Sequence, residues 1–166
     1  MTDNPSATGP ATGPAIGDHA PDFSLPADGG DTLRLADFKG RKLVLYFYPK
    51  DNTPGCTTEA NDFSRLKADF DAADTVILGV SKDSVKKHEN FIAKHDLKIR
   101  LLSDEKGDVC ERYGVWQEKQ MYGRSYMGIN RSSFLIDREG NIAHLWPKVK
   151  VKGHADEVLA ACQSLA

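Results

Sequence analysis

Cys56 is the side chain around which a chemistry can be argued. It follows an apolar run over residues 43–48, the polar turn Pro49-Lys50-Asp51-Asn52 and the entry Thr53-Pro54-Gly55. Thr suits a helix N-cap, Pro the first helical position, and Gly allows a close backbone approach. A cysteine in that first turn lies among backbone N–H groups without helical partners, at the positive end of the helix dipole. Those conditions favour thiolate over thiol, and the thiolate is the nucleophile. A buried structural cysteine is the bland alternative. Such a residue has no need of a Thr-Pro-Gly entry.

The flanking chain supplies the elements that would hold this turn. Residues 43–48 and 75–80 are apolar throughout, the mark of strands buried on both faces, and should lie side by side at the centre of a sheet. A helix is predicted over residues 54–71, with Ala60, Phe63, Leu66 and Phe70 at helical spacing, and another over 84–95. Residues 23–25 and 32–35 read as a short hairpin around Asp28-Gly29-Gly30-Asp31. Leu101-Leu102 suggests a further short strand. Residues 107–113 form a short helix closed by Gly114, and 116–130 a long loop. Residues 132–137 and 141–146 make a hairpin around Arg138-Glu139-Gly140, and the last helix covers 155–165 with Asp156 and Glu157 in its first turn. Buried strands alternating with helices predict an α/β layer fold. A thioredoxin-like arrangement accommodates this order, a central mixed sheet between helices with an N-terminal hairpin; a flavodoxin-like one would as well.

Composition narrows the function. With 166 residues the chain suits one domain, residues 16–166, behind a flexible tail over 1–15 made largely of Thr, Pro, Gly, Ala and Ser. A net charge of −2 gives no overall attraction to nucleic acid or an anionic membrane. Three cysteines, with no CxxC pair, argue against a secreted disulfide framework and fit a reducing compartment. The start lacks the basic and apolar regions of a secretory signal, and no run approaches the length of a membrane span. A cytoplasmic protein is expected.

Pro49, Thr53 and Cys56 stand in the pattern PxxxTxxC, and Arg131 opens RSSFLID farther on. This resembles the peroxiredoxins. YPKDNTPGCTTEA, with APDFSLP, FIAKHDLKIRLLSDEKGDV, YGVW and VKVKGHADEVL, resembles the bacterioferritin-comigratory-protein branch, the Q subfamily, so the likeness runs over nearly everything from Ile16 onward. It implies a thiol-dependent peroxidase acting on hydrogen peroxide and organic hydroperoxides, with no cofactor and no metal. Cys56 would be the peroxidatic nucleophile, passing through a sulfenic acid. Thr53, the Cys56 backbone N–H and Arg131 would receive charge on the leaving oxygen. Pro49 would shield the sulfur from water, and Glu59, one turn after Cys56, could orient Arg131 or be simply a solvated helix residue. Tyr48 could line the pocket or pack in the core.

One departure from the branch matters. Its resolving cysteine stands five residues after the peroxidatic one or in the following helix, and here those positions hold Asn61 and Ile92. Cys110 and Cys162 both read as structural, Cys162 on an apolar stripe with Val158, Leu159 and Leu165. The expectation is a one-cysteine peroxidase, a monomer or weak dimer. An external thiol would reduce it: thioredoxin, glutaredoxin or a small thiol. A redox-responsive binding module of the same fold is the alternative. His88 and His95 are read as packed or solvated, His19, His144 and His154 as isolated, and the Lys148-Val-Lys-Val-Lys152 alternation as an edge strand.

Overall fold

A strand flanked on both sides must hide both its faces, and β3 (Lys42–Phe47) is buried at every position. In this computed structural model, which describes residues 13–166, β3 pairs in parallel with β4 (Thr75–Ser81), Lys42 opposite Thr75. On its other side it pairs antiparallel with β8 (Ser132–Ile136), Leu45 opposite Phe134. β5 (Arg100–Ser103) and β9 (Ile142–Trp146) complete a mixed sheet in the order β5-β4-β3-β8-β9. The two apolar strands are neighbours at its centre, as their composition predicts.

Period-two alternation then divides the core. Leu43, Leu45 and Phe47 enter one layer with Leu78, Val80, Cys110, Tyr113 and Phe134. Val44, Tyr46 and Tyr48 enter the other with Cys56, Ala60, Phe63, Phe70, Phe91 and Cys162. The second layer is roofed by α1 (Pro54–Arg65), α2 (Lys67–Ala72), α3 (Val85–His95) and α5 (His154–Ser164). Over the first lie the hairpin of β1 (Ser24–Pro26) and β2 (Thr32–Arg34) and the short α4 (Val109–Arg112). Phe63, Phe70 and Phe91 are fully buried, each contributing about 1.5–3 kcal/mol from burial.

Three local expectations are corrected. The helix over 54–71 is two helices, broken at Leu66, whose backbone turns to φ −95° and ψ 5°. Leu is a good helix former and neither Gly nor Pro stands at the break, so local propensity carries no sign of it; the Leu66 side chain is buried there. The loop over 116–130 is a two-stranded ribbon, β6 (Trp116–Met121) and β7 (Arg124–Ile129). Tyr122 and Gly123 both have positive φ, 53° and 76°, and close it as a two-residue turn. The ribbon is mostly exposed, so it shows no apolar alternation. Residues 148–152 form an irregular, bent connection rather than an edge strand, with Val149 N–H donating to Arg131 O at 2.9 Å. Of the tail expected over 1–15, residues 1–12 lie outside the described residues, and Gly13 is half-buried against the Tyr113 carbonyl.

Candidate active site

β3 ends at Phe47, and the chain crosses Tyr48-Pro49-Lys50-Asp51-Asn52 before α1 begins. Thr53 is the N-cap residue, in extended conformation, and Pro54 takes the first helical position. The Thr53 hydroxyl does not cap the helix, as its residue type suggests; it donates to Lys50 O at 2.8 Å. Its proton is thereby committed and its lone pairs remain to accept, the reverse of the donor role toward a leaving oxygen expected for Thr53 from the family resemblance. The first backbone bond into the helix runs from Thr57 N–H to Thr53 O, 2.9 Å. The Gly55 and Cys56 N–H groups precede it and stay outside the helical ladder.

Cys56 is 1 % exposed. Arg131, at the entrance to β8, donates from Nη1 to Glu59 Oε1 at 2.7 Å and from Nη2 to Cys56 Sγ at 3.5 Å. One planar guanidinium therefore spans the carboxylate and the sulfur, a fork that lysine cannot reproduce. Gly55 allows this approach: a Cβ there would stand 3.1 Å from Arg131 Nη2. Burial pushes the Glu59 carboxyl up to about 7, against the pull of Arg131. Burial works against the Arg131 charge too, but Glu59 and Cys56 outweigh it and hold its pKa above the ordinary value. Lys119 of the β6–β7 ribbon is held below its ordinary value, first by burial and then by Arg131.

Histidines that sequence spacing sets aside belong to the frame of this site. His88, fully buried on α3, pairs through Nδ1 with Asp51 Oδ2 at 2.7 Å. Its Nε2 donates to Leu102 O at 2.8 Å, since a carbonyl can only accept. The Tyr48 hydroxyl donates to Asp51 Oδ1 at 2.6 Å, so Tyr48 packs in the core and also anchors the loop. His95 meets Asn52 Oδ1 at 3.2 Å. Two side chains on one face of α3 thus grip consecutive loop residues. His154, on α5, is buried against Ser133 Oγ at 2.8 Å, and burial, with Arg131 nearby, lowers its pKa to about 4.

Pro49 is half-buried beside the loop. The other two thiols are buried and free. Cys110 lies in the opposite core layer from Cys56, across the sheet; burial first, then Asp104, pushes its thiol far above the ordinary range. Cys162 shares the layer of Cys56 but sits at the other end of the strands. Its carbonyl accepts from Lys42 Nζ at 2.7 Å, and burial raises its thiol to about 11. Asn61 is exposed on α1 and Ile92 half-buried on α3.

Residues 16–145 match the AhpC/TSA family. The chain is 53 % identical over 144 residues to the putative peroxiredoxin bcp of Coxiella burnetii, covering 87 % of this chain and 95 % of that one. It is 50 % identical to peroxiredoxin Bcp of Bacillus subtilis, covering 91 % and 96 %. Among solved structures, peroxiredoxin Q of Xanthomonas campestris superposes with a TM-score of 0.82 at 50 % identity, covering 86 % of this chain and 90 % of that one. Another structure of that organism's bacterioferritin comigratory protein, trapped with intermediate and ligand, concerns its alkyl peroxide reduction activity.

Proposed function

The chain belongs to the AhpC/TSA family and is a thiol-dependent peroxidase of the Bcp peroxiredoxin kind; on that premise we propose that Cys56 is its peroxidatic residue and works without a second cysteine. The observation that carries this is the Arg131 fork, one nitrogen on Glu59 and the other facing the Cys56 sulfur. A cation held against a sulfur in the first turn of a helix stabilises negative charge there.

The reaction then follows from the donors and acceptors around the sulfur. The thiolate attacks the terminal oxygen of ROOH in line; the S–O bond forms as the O–O bond breaks. Sulfur is oxidised by two electrons to the sulfenic acid, and the peroxide leaves as an alcohol or water after gaining a proton. Thr53, its own proton given to Lys50 O, accepts the O–H of the incoming peroxide and so fixes which oxygen faces the sulfur. The Cys56 N–H and the Arg131 guanidinium receive the charge that grows on the departing oxygen. Pro49 covers the approach from solvent. Each of these groups acts on the O–O unit, which hydrogen peroxide and organic hydroperoxides share, so both classes are substrates of this reading.

Two features support the one-cysteine cycle. Cys110 would have to cross the sheet to reach Cys56. Cys162 lies beside Lys42, where β3 begins, whereas Cys56 follows its end; five steps of roughly 3.3 Å make about 16 Å along the strand. A disulfide needs Cα atoms within about 7 Å. The sulfenic acid is then reduced by an external thiol, a small thiol, thioredoxin or glutaredoxin, in a reducing compartment such as the cytoplasm. Among the described residues no helix is long and apolar enough to cross a membrane.

Mass analysis after one equivalent of peroxide tests this reading. One added oxygen on Cys56, with Cys110 and Cys162 still free, is expected. A disulfide-linked Cys56 peptide would overturn the one-cysteine cycle, and peroxide consumption by Cys56→Ser would overturn the role of Cys56.

A further inference from the structure

Behind the Arg131 fork lie two polar atoms with no partner among the described residues. Glu59 Oε1 accepts from Arg131, but Glu59 Oε2 is buried without a hydrogen bond, and so is the Tyr46 hydroxyl. Both residues are 1 % exposed. An unsatisfied buried polar group costs about 1–3 kcal/mol, and two so close to a reacting centre call for an account.

Their placement supplies one. Tyr46 points from β3 into the layer that holds Cys56, its ring stacked on Phe63 at 4.7 Å. Room for the ring comes from Gly79 on β4, where a Cβ would stand 2.9 Å from Tyr46 Cζ. Burial first, and then the charge of Glu59, hold the Tyr46 hydroxyl well above its ordinary pKa, so it is a neutral group able to donate. The ring partner Phe63 and Glu59 are both buried on α1, one turn apart, so the Tyr46 hydroxyl and Glu59 Oε2 share one buried layer while Arg131 holds Oε1. A site with one acceptor and one group that both donates and accepts suits a single internal water, which takes two to four polar partners.

We propose that Tyr46 is a positioning residue for the peroxide-reducing centre: through one buried water its hydroxyl holds Glu59 Oε2 and so fixes the Glu59–Arg131 pair against Cys56. Tyr46 touches neither substrate nor sulfur in this role. It acts by favouring the ionised carboxylate, the form that grips a guanidinium most strongly. The inference rests on Cys56 as the reacting group.

The charged groups acting on this carboxylate are Arg131 from β8's entrance and Asp62 from its own helix, and the Tyr46 hydroxyl from β3 feels its charge in turn. Arg131 in turn acts on Lys119 of the β6–β7 ribbon and on His154 of α5, lowering the pKa of each after burial has done so. Losing the hydroxyl removes support for the charged form, so Glu59 holds its proton to higher pH and the grip on Arg131 weakens from the acid side.

The test is the single-turnover rate of hydrogen peroxide consumption at pH 6 and pH 9 for wild type, Tyr46→Phe, Glu59→Gln and the double variant. The loss in Tyr46→Phe should be about tenfold greater at pH 6 than at pH 9, equivalent to a one-unit rise at Glu59. In the Glu59→Gln background Tyr46→Phe should add nothing at either pH. An equal loss at both pH values, or one that persists beside Glu59→Gln, would overturn the proposal. Should Tyr46→Phe fail to fold, a crystal structure of the reduced wild type at atomic resolution decides. Water density between Tyr46 Oη and Glu59 Oε2 supports the proposal, and a dry gap overturns it. Peroxide consumption by Cys56→Ser would unseat the premise instead, without touching the water test.

Discussion

A Cβ on Gly55 would stand 3.1 Å from Arg131 Nη2, so the guanidinium that faces the Cys56 sulfur rests against the bare backbone of the residue before it. The contact is tighter than ordinary packing, and the side chain that must yield is Arg131 itself. Gly55→Ala should therefore separate stability from activity. Alanine gains up to about 1 kcal/mol of helix propensity over glycine, so the unfolding midpoint in urea should hold or rise. Displacing the guanidinium by a few tenths of an ångström should slow peroxide consumption about tenfold. A variant as fast as wild type would show that the fork's exact position does not matter.

Arg131→Lys tests the fork differently. Lysine keeps the charge but is a single point, unable to reach Glu59 and Cys56 at once. The rate with peroxide should fall about 100-fold, the scale of losing one preorganised donor to a transition-state oxyanion. Stopped-flow consumption of hydrogen peroxide measures it. A loss below about threefold would mean that charge alone suffices and geometry adds little.

The buried His88–Asp51 contact, 2.7 Å, ties α3 to the loop that presents Thr53. His88→Asn shortens the side chain and leaves Asp51 Oδ2 and Leu102 O without their partner. Removing one member of such a buried pair costs about 3 kcal/mol. Urea unfolding should show that loss, and the peroxide rate should fall as well because Lys50 O no longer holds Thr53 in one place. Full activity in a destabilised variant would make the contact purely structural.

How far the sequence carried differs between sulfur and scaffold. The Cys56 entry turn was legible because Thr, Pro and Gly each have a positional meaning, and β3 and β4 because a doubly buried strand is apolar throughout. Arg131 and Glu59 were legible only through resemblance, since no local pattern links residues 72 positions apart. The break at Leu66 and the β6–β7 ribbon were hidden for a common reason: tertiary packing and a two-residue turn decided them, not hydrophobic period. The roles of His88 and Tyr46 were out of reach because each is set by a partner on another element. A buried histidine and a solvated one look alike in sequence.

His154 gives a prediction about stability rather than rate. Burial lowers its pKa from an ordinary 6.5 to about 4, so it is folded in its neutral form. Between those values the unfolded chain binds a proton that the folded chain refuses, and stability falls as pH drops through the window. Glu59 acts in the opposite sense: raised from 4.5 to about 7, it takes up its proton in the folded state first, and its contribution falls as pH rises. The two nearly cancel between pH 4.5 and 6.5 in the wild type, so a flat stability curve there would say nothing about either. His154→Gln removes one of them while keeping a partner for Ser133. The stability advantage of wild type over this variant should shrink by about 2 kcal/mol between pH 7 and pH 4.5, after allowing for residual solvent around the ring. Urea titrations at the two pH values measure it. A difference that does not change with pH would mean that His154 accepts a proton without leaving the fold.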